Sequence, residues 1–129
     1  MNVCIDTNAY SRLWRGDQAV ARFMESCDTI LVPATVVGEL TYGFLHGSRY
    51  RENERLLNEF LDEENIDVQP ITRAIAERYG YVKEALLTKG RLIPENDMWI
   101  AATVLETGTR LVSYDTHFDE VGGLIRIAP

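Results

Sequence analysis

The chain has 129 residues, of which 46% are hydrophobic and 26% are charged. These are the proportions of an ordinary globular domain, and a chain this long can bury roughly two-thirds of its unfolded surface. We therefore expect a single domain over residues 1–129 that needs no disulfide or structural metal in order to fold. The longest apolar runs fall far short of the roughly 18 residues of a membrane span, and the N-terminus lacks the basic region of a signal peptide. A cytoplasmic protein without membrane association is expected.

The charge balance narrows the classes of function. Twenty acidic residues against 13 basic ones give a formal net charge of −7, which argues against a protein that coats nucleic acid through bulk charge. A nuclease stays compatible, because its acids can cluster around cations while a few bases hold phosphates. We interpret Cys4 and Cys27 as reduced packing residues rather than a disulfide bridge.

Short apolar runs alternate with longer segments of helical periodicity along the chain. The predicted strands are Asn2–Ile5, Thr29–Val32, Asp67–Gln69, Arg110–Ser113 and Leu124–Ile127. The predicted helices cover residues 9–25 with a break at Gly16-Asp17, about 34–45, about 50–63, a long stretch capped by Thr72, and 94 to about 106 with Gly108 as the stop. This alternation is typical of a parallel sheet covered by helices, so we predict an α/β fold built as a three-layer α/β/α sandwich.

Four acidic residues fall where such a fold binds its ligands, just beyond the carboxyl ends of the strands. Asp6 follows the first strand, and Glu39 lies in the helix after the second. Asp97 starts the helix that leads to the fourth strand, and Asp115 follows that strand. Each has a structural alternative when taken alone, as a helix cap, a turn residue or a boundary glutamate. Their joint placement predicts that they converge at one edge of the sheet.

Converging carboxylates point to a metal ion. Crowded carboxylates repel one another and take up protons, whereas a divalent cation keeps them ionised. Oxygen ligands without histidine or cysteine favour Mg²⁺ or Mn²⁺ over Zn²⁺. An ion of this kind can activate a water and stabilise the leaving oxygen when a phosphodiester bond is hydrolysed.

Four segments in this order and spacing resemble the PIN-domain ribonucleases and, within them, the VapC-type toxins of toxin–antitoxin pairs. The segments are Ile5-Asp6-Thr7-Asn8, Val37-Gly38-Glu39-Leu40, Asn96-Asp97-Met98-Trp99-Ile100-Ala101-Ala102 and Leu111-Val112-Ser113-Tyr114-Asp115-Thr116-His117-Phe118. The resemblance covers nearly the whole chain. It implies a sheet order of 3-2-1-4-5 and a metal-dependent endoribonuclease.

The resemblance also implies residue roles. The catalytic cluster would be Asp6, Glu39, Asp97 and Asp115, of which Asp6, Asp97 and Asp115 would hold Mg²⁺ or Mn²⁺. Polar side chains that orient those acids or bound waters would be Thr7, Asn8 and Ser113; Ser113 replaces the commoner threonine but keeps the hydroxyl. Turn and cap hydrogen bonding is an equally good explanation of these three. Asp119 is interpreted as a surface residue.

An acidic chain must hold RNA through local positive charge. The candidate RNA-binding residues are Arg12, Arg15, Lys89 and Arg91, with Tyr10, Trp14 or Trp99 available for base stacking. Ordinary solvated helix faces are the alternative for the bases. His46 and His117 show no metal-ligand spacing along the chain, so histidine chemistry is not expected.

The resemblance implies a homodimer and a cognate antitoxin, and an acidic groove would accept an arginine from that antitoxin. Two other functions stay open: a metal-dependent DNA nuclease, and a catalytically silent PIN-like binding module. A response-regulator receiver domain is excluded, because the third strand ends at Gln69-Pro70 without a phosphoacceptor aspartate and no lysine follows Lys89. A haloacid-dehalogenase-like phosphatase is excluded because Asn8 stands where a second aspartate is needed.

Overall fold

A computed structural model describes residues 1–129 and contains one five-stranded sheet in the order β3-β2-β1-β4-β5. The strands are β1 (Asn2–Ile5), β2 (Thr29–Pro33), β3 (Ile66–Gln69), β4 (Arg110–Val112) and β5 (Arg126–Ile127). Every neighbouring pair of strands is parallel. The predicted parallel sheet and its 3-2-1-4-5 order are therefore confirmed.

The strands are joined by six α-helices and one short 3₁₀ helix. The α-helices are α1 (Thr7–Trp14), α2 (Gln18–Glu25), α3 (Ala34–Leu45), α4 (Tyr50–Leu61), α5 (Arg73–Thr88) and α6 (Glu95–Thr107). The 3₁₀ helix covers Thr116–Glu120, between β4 and β5. None of the helices combines the length and the apolar character needed to traverse a bilayer.

The central strand β1 shows why the fold has three layers. Val3, Cys4 and Ile5 have no solvent exposure, although successive side chains of a strand point to opposite faces of the sheet. Both faces must therefore be covered, as is usual for parallel sheets. This burial on both sides agrees with the predicted α/β/α sandwich.

Two helix boundaries follow from local backbone chemistry. The predicted break between α1 and α2 occurs at Gly16, whose φ of 85° lies in the left-handed region that glycine tolerates. Asp17 then begins α2, because its side chain accepts hydrogen bonds from the backbone N–H groups of Ala19 and Val20. Gly108, with φ 67°, ends α6 as expected.

The sheet topology brings three chain segments together at one edge. Because β1 pairs with both β2 and β4, the carboxyl ends of these three strands are neighbours. β1 leads into Asp6, β2 leads into α3, and β4 leads into Ser113 and the 3₁₀ helix. Phe118 in that 3₁₀ helix is completely buried and belongs to the main core cluster.

Phe118 should therefore contribute strongly to stability. We expect Phe118→Ala to lower the free energy of unfolding by about 3–5 kcal/mol, because it leaves a cavity in the core. Urea denaturation measures this loss. Leu87→Ala is the matched control, since Leu87 is 57% exposed, and it should shift stability by less than about 0.5 kcal/mol. Similar losses in the two variants would contradict the packing role of Phe118.

Candidate active site

An acidic cavity of about 310 Å³ lies at this edge of the sheet. Its lining is almost entirely polar and consists of Asp6, Thr7, Asn8, Ser11, Arg15, Glu39, Asp97, Ile100 and Asp115. All four acidic residues singled out in the sequence line this one cavity. The structure thus brings together side chains that the chain separates by more than a hundred residues.

Asp6 serves both the helix and the cavity. It caps the N-terminus of α1, where its Oδ1 accepts a hydrogen bond of 2.8 Å from the backbone N–H of Ala9. Its Oδ2 accepts a hydrogen bond from the Ser113 hydroxyl. Burial is the largest influence on the Asp6 carboxyl and raises its pKa; the charges of Asp115 and Glu39 also raise it, while the two hydrogen bonds oppose the rise.

Ser113 and Thr7 connect the acids to one another. The Ser113 hydroxyl donates to Asp6 and accepts a 3.0 Å hydrogen bond from the backbone N–H of Asp115. The Thr7 hydroxyl donates to Glu39 Oε1 at 3.0 Å. These contacts hold the start of α1 against both α3 and the segment after β4, so that three of the four acids are positioned by hydrogen bonds.

Asp97 and Asp115 occupy different local settings. Asp97 lies in the first turn of α6, whose cap position is taken by Pro94, so its carboxylate is not the helix cap. Burial, followed by the charge of Asp115, raises the pKa of Asp97 to about 6. Asp115 does cap its element: its Oδ1 accepts a 2.9 Å hydrogen bond from the backbone N–H of His117 in the 3₁₀ helix.

His117 is the residue of this site that sequence reasoning missed. Its Nδ1 lies 3.1 Å from Asp115 Oδ1 and 3.5 Å from Asp97 Oδ2. Spacing along the chain, which showed no metal-ligand pattern for either histidine, did not predict this position of His117 beside two acids. Its position two residues after Asp115 could have indicated this contact. When an aspartate caps a tight turn, its carboxylate accepts a hydrogen bond from the backbone N–H two residues later, which brings that residue close to the carboxylate.

The donor atoms of this site fit a divalent cation. One atom each from Asp97, Asp115 and His117 lie within 4.8 Å of one another. Burial and the charges of neighbouring acids both raise the pKa values of Asp6 and Asp97, so the ionised carboxylates are destabilised. A bound cation would relieve both effects, since its charge dominates the local field.

The four candidate RNA-binding residues lie in different places. Arg15 lines the acidic cavity itself and, with Arg12, an adjoining polar cavity. The Arg12 guanidinium is held within the protein: it donates to Asn8 Oδ1 at 3.1 Å, pairs with Asp17 at 3.2 Å and lies 3.7 Å above the ring centre of Tyr114. Asn8 thus lines the acidic cavity with its amide oxygen bonded to Arg12.

Lys89 and Arg91 are not part of the acidic cavity. Lys89 pairs with Glu120 at 3.4 Å and lines a separate cavity between α5, α6 and the 3₁₀ helix. Arg91 is exposed in the loop between α5 and α6. The structure therefore separates these two bases from Arg15.

The aromatic residues suggested for base stacking also differ. Tyr10 is buried with its ring edge-on to Phe60, at 5.2 Å between centroids, so its suggested stacking role is wrong. Trp99 already stacks on Tyr79 at 3.9 Å. Trp14, which is 47% exposed, is the best placed of the three for a base.

Comparisons with known proteins identify the family and the fold of this chain. The family model for the PIN domain matches residues 3–124. The chain is 33% identical over 112 residues to ribonuclease VapC2 of Haemophilus influenzae, with 84% of this chain and 83% of that protein covered. Its fold is similar to that of VapBC2 from Rickettsia felis, bound to a promoter DNA fragment, with a TM-score of 0.89, 23% identity and 98% of both chains covered. It is also similar to VapBC-5 from Mycobacterium tuberculosis, a member of the VapBC family of toxin–antitoxin systems, with a TM-score of 0.75, 20% identity and 98% of both chains covered.

The raised pKa of Asp97 gives a stability prediction for the metal-free protein. The folded carboxyl keeps its proton up to about pH 6, whereas the unfolded one loses it near the ordinary value of 3.8. Stability therefore falls as pH rises through this window, and the whole penalty is present above it. We expect Asp97→Asn to raise the free energy of unfolding at pH 7.5 by about 1–3 kcal/mol, with no gain below pH 3.8.

Urea denaturation in the presence of a chelator, at a series of pH values, measures this difference. Asp67→Asn is the control, because Asp67 is exposed on β3, and it should show no such pH-dependent gain. A gain for Asp97→Asn of the same size at pH 3.5 and pH 7.5 would show that packing, not charge, is responsible.

Proposed function

The chain belongs to the PIN-domain family, with the VapC ribonucleases among its relatives, and on this basis we propose that it is a metal-dependent endoribonuclease that hydrolyses RNA phosphodiester bonds as the toxin of a type II toxin–antitoxin pair. The observation that carries the proposal is the single cavity lined by Asp6, Glu39, Asp97 and Asp115. Such a cluster costs stability in the absence of a cation, which is expected where the acids serve chemistry.

We assign the metal, Mg²⁺ or Mn²⁺, to Asp97 and Asp115 together with Asp6. Asp97 and Asp115 present ligand atoms close together, and each Asp6 oxygen keeps a lone pair beyond its one hydrogen bond. When bound, an ion of this kind lowers the pKa of its water and stabilises charge on the phosphate.

The remaining polar residues position the acids. Thr7 donates to Glu39 Oε1, which leaves Oε2 to accept a proton from the attacking water. Ser113 holds Asp6 and the backbone of Asp115 in one arrangement. The Asn8 amide oxygen accepts a hydrogen bond from Arg12, so the group that Asn8 can offer to a substrate is its N–H₂ donor.

Arg15 is the best placed base for the RNA backbone. It lies on the wall of the acidic cavity, beside Asn8 and near the exposed Trp14. A phosphate held by Arg15 would bring the neighbouring bond towards the acids, and Trp14 could stack a base. The roles of Arg12, Lys89 and Arg91 in RNA binding stay predictions. Lys89 and Arg91 could contact the RNA only if the RNA strand extends from the acidic cavity past α5.

We also propose a cognate antitoxin and a homodimer. The excess negative charge of the cavity suits an arginine from an antitoxin, which would compete with the metal. Large apolar side chains are exposed on α3 and α5 and would suit contact surfaces: Tyr42, Leu45, Tyr81 and Leu87.

We further propose that residues 1–129 act as one domain in the cytoplasm. The continuous sheet from β1 to β5 supports one domain. The free thiols of Cys4 and Cys27 support a reducing compartment.

Nuclease activity is tested on RNA and DNA of the same sequence with Mg²⁺, with Mn²⁺ and with a chelator. We expect the protein to cut RNA only when metal is present, and Asp6→Asn or Asp97→Asn to slow cleavage by about 100-fold or more. Asp67→Asn should cut at the normal rate. Faster cleavage of DNA would support a DNA nuclease instead, and no cleavage of either polymer would support a silent binding module.

The antitoxin is tested by expressing tagged Asp97→Asn protein in the native host. We expect a small protein to co-purify and, once purified itself, to inhibit RNA cleavage by the unmodified enzyme. Replacing its arginines should abolish that inhibition if one of them enters the acidic cavity. Recovery of no inhibitory partner would count against the toxin role while leaving the nuclease assignment intact.

A further inference from the structure

His117 occupies a position that the general chemistry of the acidic cluster does not explain. It lies in the first turn of the 3₁₀ helix, and its backbone N–H donates to Asp115 Oδ1 at 2.9 Å. The next residue, Phe118, is completely buried. The His117 backbone is therefore fixed from both sides, by the cap and by the core.

One edge of the imidazole faces the carboxylates, although more than half of the side chain is exposed to solvent. Nδ1 is 3.1 Å from Asp115 Oδ1 and 3.5 Å from Asp97 Oδ2. Donor atoms from the three residues lie within 4.8 Å of one another, so a single ion could contact all three. Asp6 accepts one hydrogen bond on each carboxylate oxygen, from Ala9 and from Ser113, and keeps a lone pair on each for the same ion.

The ring of His117 makes its contacts with the acids and not with the core. Its side chain is 54% exposed, so it contributes little to the core. The other histidine, His46, ends α3 and packs against the ring of Tyr42 at 4.4 Å between centroids. His117 is thus the one imidazole positioned at the acids.

We propose that His117 is a nitrogen ligand of the metal site and that it shifts the preference of the site from Mg²⁺ towards Mn²⁺ and other first-row transition metals. The inference rests on the proposed metal-dependent function and concerns which ion that function uses. Mg²⁺ is held almost entirely by oxygen atoms, whereas imidazole suits transition metals. A neutral imidazole also completes the site without adding a further negative charge.

The direct test is a spectroscopic signature of nitrogen bound to the metal. Pulsed electron paramagnetic resonance of the full-length protein loaded with Mn²⁺ should show coupling to a nitrogen nucleus. The coupling should change when histidine carries a different nitrogen isotope. It should be lost in His117→Asn and kept in His46→Asn, the matched control. A wild-type spectrum without histidine coupling, or coupling that persists in His117→Asn, would overturn the proposal.

Metal affinity gives a second readout that is independent of catalysis. By isothermal titration calorimetry we expect His117→Asn to weaken Mn²⁺ binding by at least about tenfold, the smallest loss seen when only an outer-shell partner of a metal ligand is removed. Mg²⁺ binding should change by less than about twofold, and circular dichroism should confirm that the variant is folded. Equal weakening for both ions would show that His117 acts by hydrogen bonding to the acids instead of binding the metal.

These outcomes separate the inference from the function on which it rests. If neither ion binds the wild-type protein, the proposed metal site itself fails. If both ions bind but no histidine nitrogen is coupled to Mn²⁺, the metal site stands and only the role of His117 is wrong.

Discussion

The burial of carboxylates beside one another, at the carboxyl ends of β1 and β4, is the constraint around which this protein is organised. Asp6 is almost completely buried, and Asp97 has a pKa raised to about 6 by burial and by its neighbour Asp115. Folding must work against this desolvation and, to a smaller extent, against the neighbouring charges, because a carboxyl group whose pKa rises on folding opposes folding at neutral pH. A bound cation would offset this cost, which is the physical basis of the metal site proposed above.

Two of the acids also stabilise the fold, because each of them caps a helix. Asp6 caps α1 and Asp115 caps the 3₁₀ helix, so each carboxylate gains backbone hydrogen bonds that offset part of its desolvation. The Ser113 hydroxyl connects the two, because it donates to Asp6 and accepts from the backbone N–H of Asp115. The capping and the catalytic interpretations of these aspartates are therefore compatible, since the same oxygen can serve both.

A second layer of contacts steadies the segment after β4. Arg126 on β5 pairs with Asp119 through two hydrogen bonds of 2.8 and 2.9 Å, and it donates to the backbone oxygen of Ser113 at 3.2 Å. Asp119 is thus a surface residue, as expected, and its ion pair with Arg126 connects the 3₁₀ helix to the edge strand β5. Arg12 on α1 also contacts this segment, because its guanidinium lies above the ring of Tyr114.

The order of strands and helices along the chain and the convergence of the four acids could be predicted from local patterns and a general rule, whereas the order of strands within the sheet followed only from the family resemblance. Apolar runs define strands, helical crossovers make them parallel, and the carboxyl ends of neighbouring strands meet. Contacts between side chains distant along the chain could not be read in this way. Only the tertiary structure decided that Tyr10 is buried and that Arg12 is held by contacts within the protein. It also separated Lys89 from Arg15 and placed the imidazole of His117 beside Asp97. These outcomes depend on which surfaces the folded backbone places face to face.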